Sequence, residues 1–194
     1  MKGCCRVAPI LTLALTFTAW AQQTAKTAPP ATENAQQLAS AMQVVQRELN
    51  TVGKLTFVVD VSNADEKGTS QYSVLLTNVV ADPATCTIRY HFWRSMSGKV
   101  VDDDDVSIGL HDVLGISTMS AEEAFKEQAE KEGATPSELE GFYEKFDPPM
   151  FVVAMRMPED ADEGFSFTDQ KQASRVGQAV VQAVKLCGGK TGPY

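Results

Sequence analysis

Between residues 165 and 189 the apolar positions change period once, and the change marks a strand giving way to a helix. Phe165 and Phe167 alternate with Ser166, the two-residue period of a strand. Ala173, Val176, Val180, Val184 and Cys187 then recur at spacings of three and four. That spacing places them on one helical face, the thiol among them. Asp169 stands at the N-cap with Gln172 three residues on, the spacing of a capping box, and Gly188-Gly189 supply a left-handed stop. The valines alone favour a strand, but the period and the two end signals outweigh that propensity.

The same reading organises the rest of the chain. A helix is expected over 33–52, capped by Thr32 and stopped by Gly53. Its apolar residues Ala35, Leu38, Met42, Val45, Leu49 and Val52 keep a coiled-coil period for less than three heptads, which favours packing on its own domain over a dimer seam. Strands follow over 54–61 and 71–80, separated by the polar turn NADEKGTS, with Asp82-Pro83 as a break. The clearest strand is 85–95. Cys86, Ile88, Tyr90 and Phe92 share one face, and Thr87, Arg89, His91 and Trp93 share the other. After the turn Ser97-Gly98-Lys99 come Val100-Val101 and the aspartate run 102–105. Like charges in a row repel, so the run reads as a solvated turn. Short strands are expected over 106–110 and 113–119.

Ser120 and Glu123 form a capping box that opens a charged helix ending at Gly133. Thr135-Pro136-Ser137-Glu138 opens a second, with proline at the favoured first position, and Asp147-Pro148-Pro149 ends it. Leu139, Phe142, Tyr143 and Phe146 give this second helix an aromatic stripe. Covered by the sheet, the stripe is core; uncovered, it is a partner-binding surface. Residues 150–157 return to strand, and an acidic loop leads to Phe165. The chain carries no internal repeat, and the expected layout is one α+β domain over 33–189, with a flexible lead-in over 22–32 and a tail over 190–194.

The N-terminus changes the compartment. Lys2 and Arg6 precede the apolar run VAPILTLALTFTAW, and Ala19-Trp20-Ala21 is a small-x-small cleavage site, the three parts of an export signal. The run is too short and wrongly flanked for a transmembrane helix. Cys4 and Cys5 precede it rather than follow it, so they are not lipid-anchor cysteines. Cleavage after Ala21 places the mature chain in the periplasm or outside the cell. It also removes two positive charges from a chain whose formal charge is -8, and leaves Cys86 and Cys187 as its cysteines. Two cysteines in an oxidising compartment pair most simply with each other. Both sit on apolar faces, one of a strand and one of a helix, which supports the pairing independently of the count. An acidic chain without basic clusters argues against nucleic acid or an anionic membrane as partner.

No motif assigns a chemistry. His91 and His111 lie on different elements without the spacing of a helical zinc site, and no metal or other cofactor is expected. The run 102–105 and the residues Glu159, Asp160, Asp162 and Glu163 lack the order of a calcium loop. Gly189-Lys190-Thr191 has Val184 where a phosphate loop needs glycine. No nucleophile elbow is present, and no catalytic residue is selected. Arg89, His91 and Trp93 line the outer face of their strand and are candidate ligand contacts, with an ordinary polar sheet face as the alternative.

The strand stretches 54–61, 71–80, 85–95, 106–119 and 150–157, followed by Phe165-Ser166-Phe167 entering the terminal helix, resemble the pleckstrin-homology-like barrel. The resemblance implies a partly closed antiparallel sheet with a C-terminal helix plugging one end, and a module that binds peptides or lipid headgroups. The N-terminal helix and the helical pair over 121–146 are additions to that pattern. The first turn has only Lys67 where phosphoinositide binders carry basic clusters, so lipid binding is not implied. An open α+β sheet with helices on one face fits the same pattern. Two functions follow as expectations: a non-enzymatic exported module that binds a protein or small molecule, and, as the alternative, an exported hydrolase with a carboxylate site.

Overall fold

The computed structural model describes residues 30–62, 67–131, 133, 143–158 and 162–192. The expected export signal, Leu139 and Phe142 lie outside the described residues. The elements run α1 (Pro30–Val52), β1 (Lys54–Ser62), β2 (Lys67–Asp82), β3 (Thr87–Met96), β4 (Lys99–Gly109), β5 (Gly115–Ser120), α2 (Ala121–Lys131), β6 (Tyr143–Asp147), β7 (Phe151–Arg156), β8 (Asp162–Phe167) and α3 (Gln170–Leu186). Helix α1 therefore begins inside the expected lead-in, with Pro30 at the end where a missing N–H costs nothing. It stops at Gly53, whose φ of 65° only glycine adopts freely.

The class is α+β, built on two antiparallel sheets. One has five strands in the order β4-β3-β2-β1-β6, the other three in the order β5-β7-β8, and neither is closed. The expected partly closed single sheet is thus replaced by two open ones. The reason lies at 109–114, where the chain leaves the first sheet. Asp112 N–H bonds back to Gly109 O at 3.1 Å, and Leu114 N–H donates to Arg156 O at 2.8 Å, so β5 pairs with β7 and not with β4. Helices α1 and α3 pack on one another over both sheets. Met42, Val45 and Leu49 of α1, Ile88 of β3, Phe165 and Phe167 of β8, and Val176, Val180 and Val184 of α3 are all fully buried in one cluster. Gly177 lets α3 approach closely, since a Cβ there would collide with the Thr118 hydroxyl.

Between the helices Glu48 is almost covered and pairs with Arg47 at 3.0 Å and Arg175 at 3.1 Å. Gln172 does not complete the capping box expected of it. Asp169 accepts from the Gln172 N–H at 2.8 Å, but the Gln172 side chain donates across to Glu48 O and Thr51 Oγ1 of α1. Interhelix bonding wins because α1 lies within reach. Ser120 and Glu123 do form the reciprocal box that opens α2.

Cys86 and Cys187 are bonded, with Cα atoms 5.9 Å apart. Cys86 is not on the apolar face of a strand as expected. It ends a turn, at φ 54°, that begins where the Asp82 carboxylate accepts from Ala84 N–H and the Thr85 hydroxyl. Beyond the bond, Lys190 N–H donates to Val113 O and Ile116 N–H to Gly192 O, so the tail runs along the free edge of β5. A Cβ on Gly189 would collide with Leu110 O, so the glycine read against a phosphate loop serves close packing.

Two further expectations are corrected. The aspartate run 102–105 is not a turn but the middle of β4, an edge strand of the five-stranded sheet. The neighbouring strand supplies cations to it, and charge on an edge strand disfavours pairing with other chains. The second inserted helix does not extend to residue 146. Tyr143 and Phe146 belong to β6, which pairs with β1, and among the described residues α2 is the one inserted helix. Phe146 lies 5.9 Å from Phe57 beside the buried Leu55 and Met150, so burial beside β1 overrides its helical spacing. No helix among the described residues is long and apolar enough to cross a membrane.

Candidate functional site

Alternation along β3 turns Ile88 and Tyr90 into the core and Arg89, His91 and Trp93 outward. The three expected contacts therefore share one face of the five-stranded sheet. Register supplies their neighbours on β4: Ser107 opposite Arg89, Asp105 opposite His91 and Asp103 opposite Trp93. The hairpin turns through Ser97 and Gly98, both at positive φ, and one extra residue, Val101, shifts the pairing before Arg94. That bulge decides which aspartates face outward.

His91 is clamped. Its Nε2 lies 2.9 Å from Asp103 Oδ1 and its Nδ1 3.0 Å from Asp105 Oδ1. An imidazole whose two nitrogens both meet carboxylate oxygens is satisfied only when both carry protons. The bond to Asp105, then the charge of both aspartates, raises its pKa above the ordinary value. Lys54 of β1 sets its ammonium 5.1 Å from the centre of the Trp93 ring. On the opposite face Arg94 pairs with Asp102.

A second bulge borders the same residues. In β2, Asn78 and Val79 stand opposite the single residue Tyr90, between the pairs Thr77–His91 and Val80–Arg89. Asn78 has φ 55°. Helix α1 holds the irregular backbone, since Gln46 Oε1 accepts from Ala81 N–H at 2.9 Å and Asn50 donates to Val79 O at 3.4 Å. The bulge opens a surface hollow of about 430 Å³ lined by Asn78, Val80, Arg89, His91, Asp105 and Ser107.

A smaller groove, about 230 Å³, lies under α2 on the three-stranded sheet, with Met119, Ala124 and Val152 as its apolar part and Glu127, Asp162 and Glu163 at its rim. Lys131 binds Asp162 at 3.0 Å. Burial raises the pKa of Glu163, partly offset by a long bond from the Tyr90 hydroxyl, 3.5 Å to Oε2, while burial also pushes the Tyr90 phenol up. The groove thus holds one half-buried carboxyl group whose pKa is raised.

The structure unites Arg89, His91 and Trp93 and leaves Tyr143 and Phe146 on β6, at the far edge of the same sheet. Sequence reasoning missed Asn78, Asp103, Asp105 and Ser107. The two-residue spacing of Asp103 and Asp105 is the available signal, masked by the repulsion that makes four aspartates in a row look like a solvated turn. His111 lies in the turn after β4, beside Asp112 at 3.2 Å. Among the described residues no group of three or more histidine, cysteine or acidic side chains is arranged to hold a metal ion. No protein-family model, curated protein or solved structure matches this chain.

Proposed function

We propose that this is an exported, non-enzymatic binding module, periplasmic or extracellular after cleavage following Ala21, that recognises its protein or small-molecule partner through the outer face of the five-stranded sheet. One observation carries the reading. His91 is fixed between Asp103 and Asp105 at 2.9 and 3.0 Å, beside a half-exposed indole and an open hollow. A polar row locked by its own pairs loses little side-chain freedom on binding. The disulfide supports export because such bonds persist in oxidising compartments. The strand-then-helix order resembles that of pleckstrin-homology-like modules, which fits a binding role, although the two sheets here are open and no lipid ligand is implied.

The test compares mature protein with Trp93→Ala and His91→Ala as immobilised bait for the envelope fraction and culture supernatant of the source cells. A component retained by the parent and lost by both variants, at unchanged melting temperature, is the expected result. The hydrolase alternative rests on Glu163, a half-buried carboxyl group with a raised pKa beside a groove. Hydrolysis of any ester, amide or glycoside probe that Glu163→Gln abolishes would replace the binding reading with that one.

A further inference from the structure

Around the hollow at the β2 bulge the carboxylates are engaged, whereas three neutral or cationic polar side chains are not. Asp103 and Asp105 each face a ring nitrogen of His91. Asp82, within electrostatic reach of Arg89, accepts from Ala84 N–H and the Thr85 hydroxyl. By contrast, the side chains of Arg89, Asn78 and Ser107 line the hollow without a hydrogen bond or ion pair among the described residues. Backbone geometry brings these three together. Arg89 and Ser107 are cross-strand partners, and Asn78 is held beside them by the bulge.

The chain as a whole carries a formal charge of -8, but the carboxylates nearest the hollow are engaged: Asp103 and Asp105 by His91, and Asp82 by its own turn. We propose that the hollow binds a small organic molecule through a carboxylate or phosphate group, received by the guanidinium fork of Arg89 with the Asn78 amide and the Ser107 hydroxyl beside it. A planar guanidinium matches the two oxygens of either group. The hollow of about 430 Å³ is larger than the anion alone, and Val80, 43 % exposed, offers an apolar wall to the ligand's carbon skeleton. This assignment rests on reading the outer sheet face as the recognition surface and names the ligand class for it.

The experiment titrates isotope-labelled mature protein with succinate in one arm and inorganic phosphate in the other, following backbone and arginine side-chain N–H resonances. Saturable shifts at Asn78, Arg89 and Ser107 are expected, with dissociation constants in the millimolar range for such minimal probes. Arg89→Gln should weaken binding about tenfold or more, the equivalent of one charge-assisted bond, at unchanged melting temperature. Arg94→Gln, on the opposite face, should leave it unaltered. Saturation by succinate alone identifies a carboxylate ligand, and by phosphate alone a phosphorylated one; saturation by both supports the anion site with its choice made by the carbon skeleton. Absence of saturation by either at tens of millimolar, or equal binding by Arg89→Gln, overturns the assignment. If the titrations fail while Trp93→Ala still loses the captured partner, the ligand class falls and the recognition surface stands.

Discussion

Replacing Cys187 with serine removes a cross-link between residues 101 apart in sequence. For a loop of that length the chain-entropy treatment gives a loss of about 4.7 kcal/mol, arising in the unfolded chain rather than in broken native contacts. The native contacts near the bond support that division. Val176, Val180, Ala183 and Val184 bury α3 without help from the sulfur, and the tail keeps its hydrogen bonds to Val113 and Ile116. At this chain length such a loss lowers the melting temperature by about 10–20 °C. Urea unfolding followed by circular dichroism adds a mechanistic readout. An unfolded chain freed of its link exposes more surface, so the slope of stability against urea should steepen as the midpoint falls. Reductant should bring the parent onto the curve of Cys187→Ser and leave the variant where it is. A loss below about 1 kcal/mol with an unchanged slope would refute the entropic account.

Three other outcomes follow from particular contacts. The imidazole of His91, followed by NMR, should titrate above its ordinary 6.5, and Asp105→Asn should lower the midpoint. A raised folded value means that the clamp's contribution to stability is complete below 6.5 and is lost as pH rises through the folded value. Glu48 has the opposite sign: its hydrogen bonds to Arg47 and then Arg175 lower its pKa, so its contribution is complete above the ordinary 4.5 and is lost as pH falls through the folded value. Glu48→Gln should cost about 1 kcal/mol at neutral pH in urea unfolding, near the surface-pair range, because the guanidinium partners are 64 % and 54 % exposed. Phe146→Ala, half-buried against Phe57, should cost about 1.5–3 kcal/mol by thermal unfolding, less than the 3–5 of a fully buried phenylalanine. An unchanged melting temperature with loss of partner capture would return Phe146 to the binding surface.

What the chain discloses by itself divides along physical lines. Local periodicity is a property of neighbouring residues, so α1, α3 and the strands from β1 to β3 were legible from Met42, Val176 and Tyr90 and their repeats. The Cys86–Cys187 bond was legible for a different reason, since the expected loss of Cys4 and Cys5 with an export signal leaves a single pairing. The site depends on register, and register here depends on bulges. Continued without a break from the Ser97-Gly98 turn, the hairpin would set His91 opposite Asp104, and Asp103 and Asp105 would point to the other face. The extra residue at Val101 moves the pairing by one, so that His91 meets Asp105. No local pattern in KVVDDDD marks that residue, because any of its positions tolerates an extended backbone. The bulge at Asn78 and Val79 is equally silent within β2, where Gln46 and Asn50 of α1 take up hydrogen-bonding groups of the interrupted backbone. Its determinants lie some thirty residues upstream, on another element. The same reasoning explains Phe146, whose helical spacing was sound but whose burial beside Phe57 is set by a strand nearly ninety positions earlier. Residue types placed Arg89, His91 and Trp93 on one face; only the two bulges, set by contacts between elements, place an imidazole between two aspartates and open a hollow next to it.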